Sequence, residues 1–230
     1  MAEKAIVFID GGWLYKCRTA LFSKLGENNF EIDYAKLPRI LCEDVANALD
    51  EDVTLVRTVY FGTIPSPRSG FNTSKQQAFY DFLERSCNYD INIHEIDIGN
   101  DDGRNLGAPT AWVGVSIATN LVYYSAIPGI MDIAIIVGDN PDLAPAVRRA
   151  RYLGKRIQLV TVHSNDASSN IIDVYPYDFA PICLDDHASD VKLIRELVTR
   201  VCKQCGREEE TTWAGSDFFC SQCRGRHRNL

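Results

Sequence analysis

Two aspartates, Asp10 and Asp139, each follow directly on an apolar run rich in β-branched residues. A carboxylate in that position lies at the rim of a dry core, where it is costly unless a cation or hydrogen bonds satisfy it. Two or three such carboxylates at one rim make an oxygen-rich site suited to Mg²⁺ or Mn²⁺. An ion of this kind activates water and neutralises charge during attack on a phosphodiester. The sequence therefore predicts a divalent-metal site that contains Asp10 and Asp139.

Three other residues are candidates for the same site. Asp142 follows Asp139 by about one helical turn, so both side chains can face one cavity. There Asp142 would either bind the ion or orient the attacking water. Asn140 and Asn120 would add neutral oxygens. The alternative for Asp139 is a helix N-cap, a position that Asp favours. This alternative fits Asp10 less well, since the two glycines after it leave no standard capping pattern.

Basic side chains follow both aspartates. Lys16 lies on the helix predicted after Asp10, and Arg148 lies on the helix predicted after Asp142. Together with Asn140 they are predicted to contact nucleic acid, although solvated helix faces are the simpler interpretation of Lys16 and Arg148. The histidines His94 and His163 are interpreted as packing or surface residues rather than metal ligands.

The C-terminal segment contains two CxxC pairs, which are Cys202 with Cys205 and Cys220 with Cys223. Four thiolates at this spacing predict a closed, structural Zn²⁺ site whose metal supplies the folding energy of a segment without a core. Four free cysteines paired by chance are the less favoured alternative.

Two short strands are predicted for this zinc ribbon, over 211–213 and 218–219. Arg224 and Arg226, with Trp213 and Phe218 nearby, would suit single-stranded nucleic acid through charge and stacking. A solvated basic end on a protein-docking module explains them equally well.

These residues are placed by an alternation of strands and helices. Strands are predicted near 5–9, 53–61, 90–97, 132–137, 156–162 and 179–184, with helices near 13–25, 34–49, 74–87, 111–125, from Pro141 to Gly154, and 185–201, and loops over 62–73 and 100–109. The pattern predicts an α/β fold with a mostly parallel central sheet and helices on both faces, in which ligands bind at the carboxyl ends of the strands. The predicted divisions are a domain over 1–184, a linking helix over 185–200 and a zinc ribbon over 201–230.

Composition limits the possible functions. The net charge of −7 argues against a protein that coats nucleic acid by bulk electrostatics, but not against an acidic metal site. No apolar run approaches the roughly 18 residues of a membrane span, and no signal peptide precedes the first strand, so a cytoplasmic protein is expected. The four scattered cysteines are then interpreted as buried thiols rather than disulfides; these are Cys17, Cys42, Cys87 and Cys183.

Two motifs resemble those of a known family. The run from Ile9 to Tyr15 resembles the opening motif of NYN domains, the LabA-like branch of the PIN-like nucleases, and the run from Val137 to Pro145 resembles their second acidic motif. The resemblance spans about residues 4–184. It implies a PIN-like fold and metal-dependent endonuclease activity, usually on RNA, with Asp10, Asp139 and Asp142 in the metal site.

One segment departs from that family pattern. The helix between the two motifs commonly carries a lysine and two aspartates, and the matching positions here are Ala111, Gly114 and Asn120. A register two residues further on gives Ser116 and Val122 at the acidic positions instead. The missing charge predicts weaker metal binding, a ligand borrowed from the loop over 97–102, or a domain that binds RNA without cutting it.

The leading hypothesis is therefore a metal-dependent endoribonuclease with Mg²⁺ or Mn²⁺ at the acidic site and structural Zn²⁺ in the tail. The alternative is an RNA-binding or scaffold protein on the same fold. A phosphatase with Asp10 as nucleophile is disfavoured, because residue 12 is glycine where common aspartyl phosphatases have a second aspartate. Expected partners are RNA, possible single-stranded DNA, a possible protein bound by the ribbon, and a possible second copy of the chain, with no membrane.

Overall fold

A computed structural model describes residues 2–25, 31–97, 109–163, 177–194, 197–212, 215 and 217–227. Almost all of the predicted loop over 100–109 lies outside the described residues. Trp213 also lies outside them. The chain divides into two compact units, Met1–Lys192 and Leu193–Leu230. No helix in the described ranges combines the length and the apolar character that crossing a membrane requires.

The first unit is built on a six-stranded sheet in the order β3-β2-β1-β4-β5-β6. All five neighbouring pairs are parallel. The strands are β1 Glu3–Asp10, β2 Val53–Pro65, β3 Asp90–Ile96, β4 Ile133–Val137, β5 Arg156–Thr161 and β6 Ile182–Cys183. The predicted α/β fold with a mostly parallel central sheet is confirmed.

Helices cover both faces of this sheet, because its central strands are apolar on both sides. The helices of the first unit are α1 Gly11–Leu25, α2 Leu37–Leu49, α3 Ser74–Cys87, α4 Pro109–Ala126 and α5 Ala144–Tyr152. Ala5, Val7 and Ile9 of β1 pack on the side of α1, α2 and α3. Ile6 and Phe8 pack on the side of α4 and α5. Residues 5–9 have no exposed surface, so β1 is the centre of the core.

Two predictions about secondary structure were wrong, one inside the first unit and one across the end of that unit. Strand β2 continues to Pro65, where a loop was predicted from Gly62, because its last residues pair with β3 as far as Pro65 opposite Ile96. The predicted linking helix over 185–200 is absent from the described part of that range. A 3₁₀ turn occupies Leu184–His187 instead, and Val198–Val201 is strand β7. The partner of β7 lies further along the chain, where local helical spacing gives no indication of it.

The second unit consists of a hairpin and a short helix among the described residues. Strand β7 pairs antiparallel with β8, Glu208–Thr211, and helix α6 covers Ser221–His227. The strand predicted over 218–219 was wrong, since Phe218 and Phe219 belong to no strand. The strand predicted over 211–213 shares only Thr211 with β8, and Trp213 lies outside the described residues. The hairpin forms earlier in the chain, with the first cysteine pair in its turn and the second pair at the start of α6.

Candidate functional site

Asp10 and Asp139 lie at the carboxyl ends of adjacent strands. Ile9 of β1 pairs with Val137 of β4, so the residues that follow leave the sheet side by side. A Cβ atom built on Gly138 would lie 3.3 Å from the Cβ of Asp10, which shows how closely the two chain segments approach. The strand order also reverses between β1 and β4. In parallel α/β sheets such a reversal opens the crevice in which ligands bind.

The Asp10 side chain caps helix α1. The backbone N–H of Trp13 donates a hydrogen bond of 2.9 Å to Oδ1 of Asp10. The expectation that Asp10 is a poor capping residue was therefore wrong. Gly11 is required by packing, because a Cβ there would lie 2.2 Å from the buried ring of Tyr60. A glycine after the aspartate thus lets the helix begin directly at the sheet without preventing the cap.

The environment of Asp10 is unfavourable to its charge. Burial raises its pKa and Asp139 adds to the increase, against the N–H groups of Trp13 and Gly12 and the charge of Lys16, which lower it. The same environment raises the pKa of the Cys17 thiol to about 12, by burial and then by the charges of Asp139 and Asp10. Cys17 follows Asp10 by seven residues, or about two helical turns. That spacing was the sequence signal for its position beside the pair, and it was missed.

Asn140, rather than Asp139, caps the turn after β4. Oδ1 of Asn140 accepts a hydrogen bond of 3.0 Å from the N–H of Asp142, at the start of the 3₁₀ turn Pro141–Leu143. Asp139 and Asp142 are both exposed. Within the described ranges, no three carboxylates at this edge bring oxygens within 4.8 Å of one another. A magnesium or manganese site at Asp10, Asp139 and Asp142 accordingly stays a prediction.

Helix α4 packs against this site through Gly114. A Cβ on Gly114 would lie 2.5 Å from Nδ2 of Asn140, so a larger residue there would displace the end of the Asn140 side chain. Asn120 lies six residues further on, about 9 Å along the helix axis. Its amide donates a hydrogen bond of 2.9 Å to the carbonyl of Ser116. The structure thus brings Gly114, and not Asn120, next to Asn140.

The basic residues predicted to contact nucleic acid are exposed. Lys16 lies near enough to lower the pKa of Asp10, and Arg148 projects from α5. The nearby Arg151 has a different role, because its guanidinium binds both carboxylate oxygens of Asp178, with the shortest contact at 2.8 Å. Lys16 and Arg148 stay predicted contacts of a nucleic acid.

The four cysteines of the second unit form one cluster. The sulfur atoms of Cys202, Cys205, Cys220 and Cys223 lie within 4.8 Å of one another. Those of Cys205 and Cys220 are 3.6 Å apart, far beyond the roughly 2.05 Å of a disulfide. Zinc–sulfur bonds of about 2.3 Å at tetrahedral angles place the sulfurs about 3.8 Å apart. The cluster is therefore compatible with the predicted zinc ribbon.

The backbone around these cysteines is arranged for thiolates. The N–H of Cys220 points at the sulfur of Cys202, at 3.3 Å. This hydrogen bond is the main cause that lowers the pKa of Cys202 to about 6. The first pair lies in a tight turn, in which the N–H of Gly206 donates to the carbonyl of Cys202 at 2.8 Å and Gly206 has φ of 70°.

Two residues of this unit that were predicted to contact single-stranded nucleic acid have structural roles. Phe218 is only 3% exposed and packs against the cysteines, so the expectation that its ring stacks on bases was wrong. The guanidinium of Arg224 lies 5.6 Å from the centre of that ring, and its Nε donates to the carbonyl of Phe219 at 2.9 Å. The side chain of Arg226 lies outside the described residues.

Comparison with known proteins supports the fold. No protein-family model matches the chain, and no curated protein matches it. The structure is similar to the crystal structure of a protein of unknown function from Vibrio parahaemolyticus, with a TM-score of 0.53 and 18% sequence identity. The match covers 84% of this chain and 97% of the other. At this identity the similarity concerns the fold alone.

Proposed function

We propose that the first unit is an NYN-type, PIN-like domain that cleaves RNA phosphodiester bonds with Mg²⁺ or Mn²⁺ at Asp10 and Asp139. The observation that carries this proposal is the pair of carboxylates at the reversal point of a parallel sheet. Burial and Asp139 both raise the pKa of Asp10, so a cation between the two would relieve a real electrostatic cost. Such an ion supplies activated water and neutralises charge on the phosphate. Asp142 would bind the ion or orient the water.

A catalytically weakened domain that binds RNA or serves as a scaffold is the second candidate. The contact between Gly114 and Asn140 favours it, because the helix that carries aspartates in the family brings a glycine to this site. With fewer anionic ligands, a hard cation binds less tightly. Lys16 and Arg148 would still hold the phosphate backbone.

The four-cysteine unit is proposed to hold Zn²⁺ and to dock the substrate or a partner protein. The small apolar cluster of this unit supports the proposal, because a segment with so few buried apolar side chains would depend on the metal for its folding. It would contribute binding energy but no chemistry, because four cysteine ligands leave no open position on zinc.

The test is cleavage of a single-stranded RNA with Mn²⁺ or Mg²⁺ by the full chain, by Asp10→Asn and by Asp139→Asn. Asparagine caps a helix about as well as aspartate does, so Asp10→Asn removes the charge and keeps α1 intact. Glu84→Gln, an exposed carboxylate at the far end of α3, is the matched control.

We expect activity in the wild type and the control, with a loss of at least about 100-fold in both aspartate variants, since both carboxylates would hold the ion. Undiminished cleavage by both variants contradicts the proposed site. RNA binding without cleavage by any of the four proteins favours the second candidate.

A further inference from the structure

A second group of metal-type side chains lies beyond the carboxyl ends of β5 and β6, which we call the His163 cluster: His163, Cys183 and Asp186. Strand β5 pairs with β6 at Thr161 opposite Cys183, and His163 follows β5 by two residues. One possible ligand atom from each member lies within 4.8 Å of the others. We propose that the His163 cluster binds a Zn²⁺ ion through three protein ligands and leaves a fourth position open.

Asp185 holds the histidine ring in the orientation that metal binding requires. Its Oδ1 accepts the backbone N–H of His163 at 3.0 Å, and its Oδ2 lies 2.9 Å from the ring Nδ1. The carboxylate therefore favours the tautomer with the proton on Nδ1, which leaves the lone pair of Nε2 for a metal. Metal-bound histidines almost always donate their other ring N–H to a carboxylate, a backbone carbonyl or a water molecule, and Asp185 would fill that role here. Asp185 is a positioning residue that is only 8% exposed.

The spacing of His163 and Asp186 fits zinc. Nε2 of His163 lies 3.8 Å from Oδ2 of Asp186. Zinc–ligand bonds of about 2.0–2.3 Å at tetrahedral angles place ligand atoms about 3.3–3.8 Å apart, so an ion fits between them with little movement.

The choice of ligands points to zinc over magnesium. A thiolate, an imidazole and a carboxylate are the donors that zinc accepts together, whereas magnesium requires oxygen. The charges of a Cys183 thiolate and an Asp186 carboxylate would balance those of the ion.

The His163 cluster is accessible to solvent, whereas four cysteine ligands would complete the coordination of an ion at the other site. The side chains of His163 and Asp186 are 59% and 53% exposed, so an ion can enter and a water molecule can complete its coordination. Three protein ligands with one open position is the arrangement of zinc sites that bind or activate small molecules. The second unit, by contrast, encloses its metal position with four sulfurs.

Sequence reasoning interpreted His163 as a packing or surface residue and Cys183 as a buried thiol. Cys183 is in fact only partly buried. No short motif identifies the cluster, because its ligands come from the ends of two strands that are separated by 20 residues. The pairing of β5 with β6 brings them together, and only the structure shows that pairing.

The test counts zinc ions bound per full-length chain after dialysis against a zinc buffer, by mass spectrometry of the metal. We expect two ions in the wild type, one of them in the four-cysteine site, and one ion in each of Cys183→Ser, His163→Gln and Asp186→Asn. Cys87→Ser, which removes a partly buried thiol elsewhere, should keep two. Asp186 is exposed, so its substitution leaves the fold intact, which circular dichroism can verify.

The Asp185→Asn variant distinguishes a residue that positions the histidine ring from the residues that bind the ion. It should still bind the second ion but with a Kd about 10–100-fold higher, as is usual when the carboxylate behind a metal-binding histidine is altered. Zinc should also slow alkylation of Cys183 by iodoacetamide in the wild type. One zinc per wild-type chain, or two in both Cys183→Ser and Asp186→Asn, overturns the proposal. The result does not depend on Asp10 or on RNA cleavage.

Discussion

The sheet edge at Asp10 and the four-cysteine cluster are both made of metal-binding side chain types, yet they differ in how closely these are assembled. The four sulfurs lie within 4.8 Å of one another, whereas no three carboxylates do so around Asp10 in the described ranges. Each CxxC pair fixes two ligands within one turn of chain. The aspartates arrive on separate strands and keep distances set by the sheet. The short spacing of a CxxC pair thus fixes the positions of two possible ligands directly. The pairing of strands in a sheet fixes the positions of the aspartates only approximately.

The two units also differ in what stabilises them. The first unit buries two apolar layers, one on each face of the sheet. The buried cluster of the second consists of Phe218 and three of the four cysteines. We therefore expect metal to determine the stability of the second unit and side-chain packing to determine that of the first.

The largest expected effect comes from removing the metal that we propose for the four-cysteine cluster. Structural zinc sites contribute about 10–16 kcal/mol of binding free energy, so chelation or Cys220→Ser should unfold residues 198–227. Hydrogen exchange measured by mass spectrometry should show loss of protection in β7 and β8 with none in β1. Cys42→Ser, in the core of the first unit, should instead lower the stability of that unit alone. If β7 and β8 stayed protected from hydrogen exchange after chelation, the expected difference in what stabilises the two units would be contradicted.

A smaller effect should follow from crowding the first unit at the start of α1. Gly11→Ala forces a methyl group to within 2.2 Å of the Tyr60 ring and should destabilise the unit by about 1–3 kcal/mol. Gly12→Ala is the matched control, because its Cβ would lie at an ordinary 3.4 Å from Oδ1 of Asp10. The two midpoints of urea unfolding measure the difference. Equal midpoints would show that Tyr60 can move aside.

The smallest effect concerns the charge and the cap of Asp10. Its pKa is raised in the folded state above the ordinary 3.8, so the folded chain binds the proton more tightly and loses stability as pH rises past that value. Asp10→Asn should therefore be more stable than wild type at pH 7 and equally stable at pH 3, with no Mg²⁺ or Mn²⁺ added. Asp10→Ala also loses the cap and should be less stable than Asp10→Asn at both pH values, by about 0.5–2 kcal/mol.

Thermal unfolding of the three proteins at the two pH values checks this expectation. A wild type more stable than Asp10→Asn at pH 7 would show that the hydrogen bonds of the cap outweigh burial.

The sequence predicted those features that depend on local pattern. Buried strands such as Ala5–Ile9 are continuous apolar runs, and the CxxC pairs have a fixed spacing, so both were identified correctly. The strand that became β7, Val198–Val201, was predicted as the end of a helix, although three of its four residues are β-branched and favour strands. Pairing with β8 in a hairpin decides its conformation, and the helical spacing assumed over 185–201 ignored that partner.

The candidate site at Asp10 shows the same difference between features that depend on local sequence pattern and features that depend on the fold. The location of Asp10 and Asp139 at one edge followed from two strand endings, and the structure places their strands side by side. The capping roles were assigned the wrong way round, since Asp10 caps a helix and Asn140 caps the turn next to Asp139. Capping depends on the direction in which the chain leaves the sheet. Residue types alone do not fix that direction.

The position of β1 has a consequence for synthesis of the chain. Among the strands of this sheet β1 comes earliest in the chain, but one of its two neighbours, β4, comes much later; the hydrogen bond from the N–H of Lys4 to Asp132 spans 128 residues. At about 5–20 residues per second, a ribosome needs roughly 6–25 s to make that stretch. During that time β1 can pair with β2, while its other edge has no partner. A strand whose residues 5–9 are fully buried in the finished fold therefore stays exposed along one edge until β4 has been made.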